Sequence, residues 1–117
     1  MKSKLRKSLD EKKFVFTAET SPPDSGSKTD IFNQVKCLKN LADAINVTDG
    51  AGANSHMSAL ATAAIIAENQ IEPILQFTTR DRNRLAIQGD LLGGWALNIP
   101  NILCLYGDEV KGGDQPE

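Results

Sequence analysis

Four short runs of apolar and β-favouring residues recur along the chain: Val15-Phe16-Thr17-Ala18, Ala44-Ile45-Asn46-Val47, Ile74-Leu75-Gln76-Phe77 and Asn101-Ile102-Leu103-Cys104-Leu105. Their first residues lie 29, 30 and 27 positions apart, which is the length of one strand-helix unit. Each gap carries a helical spacing of apolar positions. In the first, Ile31, Val35, Leu38 and Ala42 share a face behind the candidate caps Thr29 and Asp30. In the second, Met57, Leu60, Ala61, Ala64 and Ile65 follow Asn54-Ser55. The third helix is expected from near Asp81 to Leu97, with Leu85, Leu92, Trp95 and Ala96 facing inward and Gly93-Gly94 weakening its last turns.

This alternation predicts an α/β fold with parallel strands, right-handed crossovers and helices covering the sheet. Residues 1–13 predict a short leading helix with Leu5 and Leu9 on one side, and the glycine- and charge-rich stretch 109–117 reads as a loop.

Composition adds exclusions. The 117 residues are 40% hydrophobic and 5% aromatic, as in an ordinary soluble domain. The longest apolar stretch, Ala59 to Ala67, is interrupted by Thr62 and falls far short of the roughly 20 residues that span a bilayer, so no membrane role is expected. The net charge of −2 hides an asymmetry. Residues 1–13 hold six basic and two acidic side chains, leaving seven basic against thirteen acidic over the rest. So acidic a body disfavours a nucleic-acid partner. No apolar leader separates the first lysines from Phe14, and the cytoplasm is the expected compartment. Cys37 and Cys104 lack metal or redox spacing and read as buried, reduced thiols. No metal site is expected.

Parallel strands place all their carboxyl ends on one rim, where α/β sheets and barrels bind ligands. Glu19, inside an apolar run, is a candidate general acid; its other reading is a carboxylate that caps a strand or pairs with an arginine such as Arg80. Asp108 after Gly107 reads either as a ligand-facing carboxylate or as turn chemistry. The segment Asp49-Gly50-Ala51-Gly52-Ala53-Asn54 offers G-x-G, but Ser55 stands where a dinucleotide fingerprint has its third glycine or alanine. His56 reads as a surface or helix-start residue. The Arg80-Asp81-Arg82-Asn83-Arg84 cluster reads either as an anion site or as helix-start salt bridges.

Together, Phe16-Thr17-Ala18-Glu19-Thr20-Ser21-Pro22-Pro23, the segment from Asn46 to Asn54, Leu75-Gln76-Phe77-Thr78-Thr79-Arg80-Asp81-Arg82-Asn83 and Leu103-Cys104-Leu105-Tyr106-Gly107-Asp108 resemble the methylenetetrahydrofolate reductase family in order and spacing. The resemblance covers nearly all of this chain and less than half of the family's catalytic domain. It implies a (β/α)8 TIM barrel carrying FAD. Since such barrels need about 250 residues, 1–117 would be the N-terminal (βα)4 portion. It also implies hydride transfer from NADH or NADPH through the flavin to 5,10-methylenetetrahydrofolate, giving 5-methyltetrahydrofolate for methionine biosynthesis.

On the same resemblance Glu19 matches the catalytic acid that helps open the folate ring, and Asp108 an aspartate beside flavin and folate. Thr48 matches a position near nicotinamide and flavin, and Asp49 and Ala51 match flavin-loop positions. Gln76 stands where many members carry histidine, and Tyr106, next to Gly107, where many carry arginine. Four parallel strands leave two open edges, so completion by the missing half-barrel or by a second copy is expected. The rival readings are a non-catalytic half-barrel or partner-binding module and, on the imperfect glycine loop alone, a Rossmann-like nucleotide-binding module.

Overall fold

The computed structural model describes residues 2–117. Four strands pair in chain order, β1 (Thr17–Thr20), β2 (Ala44–Val47), β3 (Pro73–Thr78) and β4 (Asn101–Leu105), and each pairing is parallel. Helices α2 (Lys28–Val35), α3 (Ala59–Glu68) and α4 (Arg84–Ala96) form the three connections, and α1 (Lys4–Asp10) precedes β1. The predicted βα repeat is therefore present. β1 starts two residues later than expected because Phe16 is engaged elsewhere: its N–H donates to the Asp43 carboxylate and its carbonyl accepts from the Asp43 N–H.

Each helix begins at a side-chain cap that satisfies a free backbone N–H. Ser3 accepts from Arg6, Ser27 from Asp30, Ser58 from Ala61 and Asn83 from Ala86. The caps expected at Thr29 and Asp30 are thus replaced by Ser27, and the helix expected after Asn54-Ser55 waits for Ser58. The stripe expected as far as Ala42 is split, since α2 stops at Val35 and Lys36–Leu38 tightens into a 3-10 turn.

Side chains alternate across a strand, and the register aligns Ile45 and Val47 with Pro73 and Leu75. Ile45, Val47, Leu75 and Phe77 meet Ile31, Val35, Ala59, Ala63, Ile66, Ile71 and Ile99 in one buried core. All three connecting helices contribute to it or pack against it. The opposite face carries Thr17, Glu19, Asn46, Ile74, Gln76 and Leu103, and no helix crossover among the described residues covers it. Helix α1 sits at its amino end, where the Glu72 carboxylate accepts from the N–H groups of Lys4 and Leu5 at 2.9 and 3.0 Å.

Three expectations about burial are corrected. On α4, Leu85, Leu92 and Trp95 are 78%, 76% and 59% exposed, and Ala96 is exposed as well. The helix turns Gly94 inward instead, where a Cβ would lie 3.5 Å from Leu60, and Ile87 packs at the core margin. A small residue lets α4 approach α3, and its large apolar residues remain outside. On α3 the buried residues are Ala59, Thr62, Ala63 and Ile66, with Leu60, Ala64 and Ile65 at the margin and Ala61 exposed. Cys37 and Cys104 are exposed rather than buried. Cys37 lies in the turn after α2, and Cys104 lies on β4, an edge strand without a further neighbour among the described residues. No helix among those residues is long and apolar enough to cross a membrane.

Candidate active site

The carboxyl rim encloses a cleft of about 410 Å³ lined by Glu19, Thr48, Asp49, Ala51, Gln76, Thr78, Leu105, Gly107 and Asp108. Seven of the eight residues expected from the sequence converge there. Tyr106 does not line it and is 83% exposed. Thr78 and Leu105 were not anticipated, although their place at the ends of β3 and β4 is the signal that would have found them.

Glu19 lies on the uncovered face of β1, so its carboxylate is exposed rather than buried among apolar groups. Its partner is not Arg80. Gln76 Nε2 donates to Glu19 Oε2 at 3.2 Å, which leaves Oε1 without a protein partner among the described residues. At another wall, Asp108 Oδ2 accepts from the Gly52 N–H at 2.8 Å.

Asp49 lines the cleft, but its carboxylate is already engaged. It accepts from Thr78 N–H at 2.8 Å and Thr78 Oγ1 at 3.0 Å, and from the Arg82 guanidinium. Arg82 also donates to the Thr78 carbonyl and to Asp90, and lies 4.2 Å over the Phe77 ring. Burial alone would lower the Arg82 pKa; the hydrogen bonds and charges of Asp49 and Asp90 outweigh it and raise the pKa. Thr48 is buried and donates its hydroxyl to Ser21 Oγ at 3.0 Å, tying the second loop of the rim to the first.

The glycine segment does not form a dinucleotide-binding helix start. Gly50, Gly52 and Ala53 all take positive φ, in a 3-10 turn over Ala51–Ala53, and α3 begins only at Ala59. No helix N-terminus stands at this loop, so the geometry of a pyrophosphate site is missing. The basic cluster resolves into internal ion pairs, Arg80 with Asp81 and Arg82 with Asp49 and Asp90. Arg80 holds the Asp81 carboxyl below its usual range, chiefly through their hydrogen bonds. His56, for which no partner was expected, lies with Nδ1 2.6 Å from Asp24 Oδ1, and the pair links the first and second rim loops. No cluster of metal ligands occurs among the described residues.

A larger cavity of about 740 Å³ lies at the amino end of the same face, between α1 and residues such as Thr17, Asn46 and Leu103. Its two cationic side chains, Lys2 and Arg6, are both paired with Asp10, and it brings no carboxylate opposite another. The smaller cleft is the one with chemistry: a carboxyl group with a free oxygen, an amide beside it, and a second carboxylate held by a backbone N–H.

No curated protein matches the chain. The family model described as methylenetetrahydrofolate reductase matches residues 4–117, a span that contains every residue of the cleft. The chain therefore belongs to the methylenetetrahydrofolate reductase family, oxidoreductases of folate one-carbon metabolism built on a TIM barrel.

Proposed function

We propose that the carboxyl-rim cleft receives the flavin ring of FAD and a 5,10-methylenetetrahydrofolate molecule, and that the complete enzyme reduces the latter to 5-methyltetrahydrofolate at the expense of NADH or NADPH. The observation that carries this reading is the convergence of Glu19 and Asp108 on one cleft. The lining suits a planar heteroaromatic group. Gly107 and Ala51 are small enough to admit a ring edge to the backbone, Leu105 offers an apolar contact, and Thr48 and Gln76 add polar groups. Asp49 fits less directly. Its carboxylate holds Thr78 and Arg82, so its part toward the cofactor is to fix the loop that carries Ala51.

When bound, FAD supplies the hydride relay between nicotinamide and folate. The protein groups do the rest. Glu19 presents Oε1 as the proton-bearing atom for opening the folate's five-membered ring, while Gln76 holds Oε2. Asp108, oriented through Oδ2, turns its negative charge toward the cation that ring opening creates.

The same reading makes residues 1–117 the N-terminal (βα)4 portion of the barrel. The open edges of β1 and β4, the sheet face without helices, and the outward Leu85, Leu92 and Trp95 support it. Either a second copy or four further βα units would cover these surfaces. Light scattering together with a flavin absorbance spectrum, on protein purified with FAD, tests the proposal. Stoichiometric yellow flavin on a defined dimer would mean that two halves close a working rim. A colourless, heterogeneous sample would mean that the cleft needs a longer chain, and a completed barrel that still refused flavin would overturn the reading.

A further inference from the structure

We propose that Arg80 is a positioning residue for Asp108, acting as a tie that registers the loop after β4 against the loop after β2. The role of Asp108 toward flavin and folate rests on the function proposed above; the tie itself does not.

The Arg80 side chain is only 9% exposed and lies between two glycines that both require positive φ. A Cβ on Gly50 would fall 2.7 Å from Nη2, and one on Gly107 would fall 3.1 Å from Nη1 and 3.3 Å from the Arg80 Cβ. Both loops thus close around one guanidinium, and a side chain at either position would press on it. The polar contacts follow the same geometry. Nη1 donates to the Asp108 carbonyl at 3.1 Å and Nη2 reaches the Gly50 carbonyl at 3.4 Å. Nε and Nη2 grip Asp81, whose side chain is 60% exposed. With four of its five N–H donors on protein groups, Arg80 is committed to these loops rather than to an anionic substrate. What it controls is the neighbour: Asp108 is held by its main chain to Arg80 and by Oδ2 to Gly52, and Gly52 lies two residues from the other end of the tie. A planar fork can span two carbonyls and a carboxylate, whereas the point charge of lysine cannot.

Nuclear magnetic resonance of the isotope-labelled chain, without cofactor, tests the tie. The Gly52 amide is expected to shift in Asp108→Asn and to shift likewise in Arg80→Lys, while the amides of Val47 and Leu75 keep their positions. Arg80→Gln serves where lysine unfolds the chain. A Gly52 amide that keeps its wild-type shift in a folded Arg80 variant would overturn the proposal. In the flavin-loaded enzyme, Arg80→Lys and Asp108→Asn are each expected to slow folate reduction about tenfold or more, with the double variant no slower than the worse single one. Multiplied effects would overturn it. If Asp108→Asn leaves folate reduction unchanged although Gly52 reports the tie, the flavin reading has failed and the role of Arg80 in catalysis falls with it.

Discussion

Gln76 reaches across β2 to donate its Nε2 hydrogen to Glu19 Oε2 at 3.2 Å, although β1 and β3 are not neighbours in the sheet. The contact is possible because that face of the sheet has no helix crossover, and it ties the candidate acid to a residue that remains neutral at any pH. One carboxylate oxygen is thereby held, and the other has no protein partner among the described residues. Glu19→Gln is expected to abolish folate reduction in the complete enzyme and to leave nicotinamide oxidation by flavin largely intact. Gln76→Leu, which removes the orienting donor and keeps the acid, should slow folate reduction about tenfold. Stopped-flow measurement of the two half-reactions distinguishes them; equal loss of both in Glu19→Gln would refute the acid role.

Asp49 and Arg82 make a stability prediction independent of the cofactor. Their side chains are 12% and 16% exposed, and the pair also collects the backbone N–H and hydroxyl of Thr78. Asp49→Ala leaves a largely desolvated guanidinium and two Thr78 donors without that acceptor. The expected cost is about 2 kcal/mol, or a fall in melting temperature of about 10 °C. Calorimetry of the variant checks this, and a change under about 0.5 kcal/mol would show that the pair behaves as a solvated surface contact.

The repeat was legible because its period is local: each strand-helix unit states its own alternation, and β2 was placed to the residue. Rim chemistry was legible for the same reason, since parallel strands bring their ends together whatever the details. Arg82 with Asp49 and Asp108 with Gly52 were not legible, because they join residues 33 and 56 positions apart that only the closed sheet brings together. The face of α4 misled for a different reason. Spacing shows that Leu85, Leu92 and Trp95 share a surface, but not which surface covers it, and Gly94 carried the inward contact with no apolar side chain to announce it. Cap positions were ambiguous wherever Ser, Thr, Asp and Asn crowd a helix start.

The Asp81–Arg80 pair predicts a small acid-sensitive increment of stability. The Asp81 carboxyl is held below its ordinary value of 3.8, first by its hydrogen bonds to Arg80 and further by the charges of Arg80 and Arg82. A carboxyl whose pKa is depressed by folding contributes stability above its unfolded pKa and loses it as the pH falls through the folded value. Because the Asp81 side chain is 60% exposed, solvent screening limits the effect to about 0.5 kcal/mol. Asp81→Asn should therefore be slightly less stable than wild type at pH 7, with the gap closing below pH 3.8. Denaturant midpoints across that range measure it, and a gap that widened on acidification would contradict the sign.

Thr62 offers the opposite case, a substitution expected to stabilise. It lies on α3 in the core with no exposed surface, and its Oγ1 has no hydrogen-bond partner among the described residues. A buried hydroxyl without a partner costs about 1–3 kcal/mol in desolvation that nothing offsets. Valine keeps the branched shape and replaces that oxygen with a methyl group, which meets the apolar Ile66 and Ala59 layer without a polar penalty. Its lower helix propensity is shared by threonine, so the backbone term nearly cancels. Thr62→Val should raise stability by about 1 kcal/mol and the melting temperature by about 5 °C. Thr62→Ser, which keeps the hydroxyl and opens a methyl-sized void, should lower it. If valine were instead destabilising, the hydroxyl would have to be bonded, most simply to a buried water, and the high-resolution density around Oγ1 would show it.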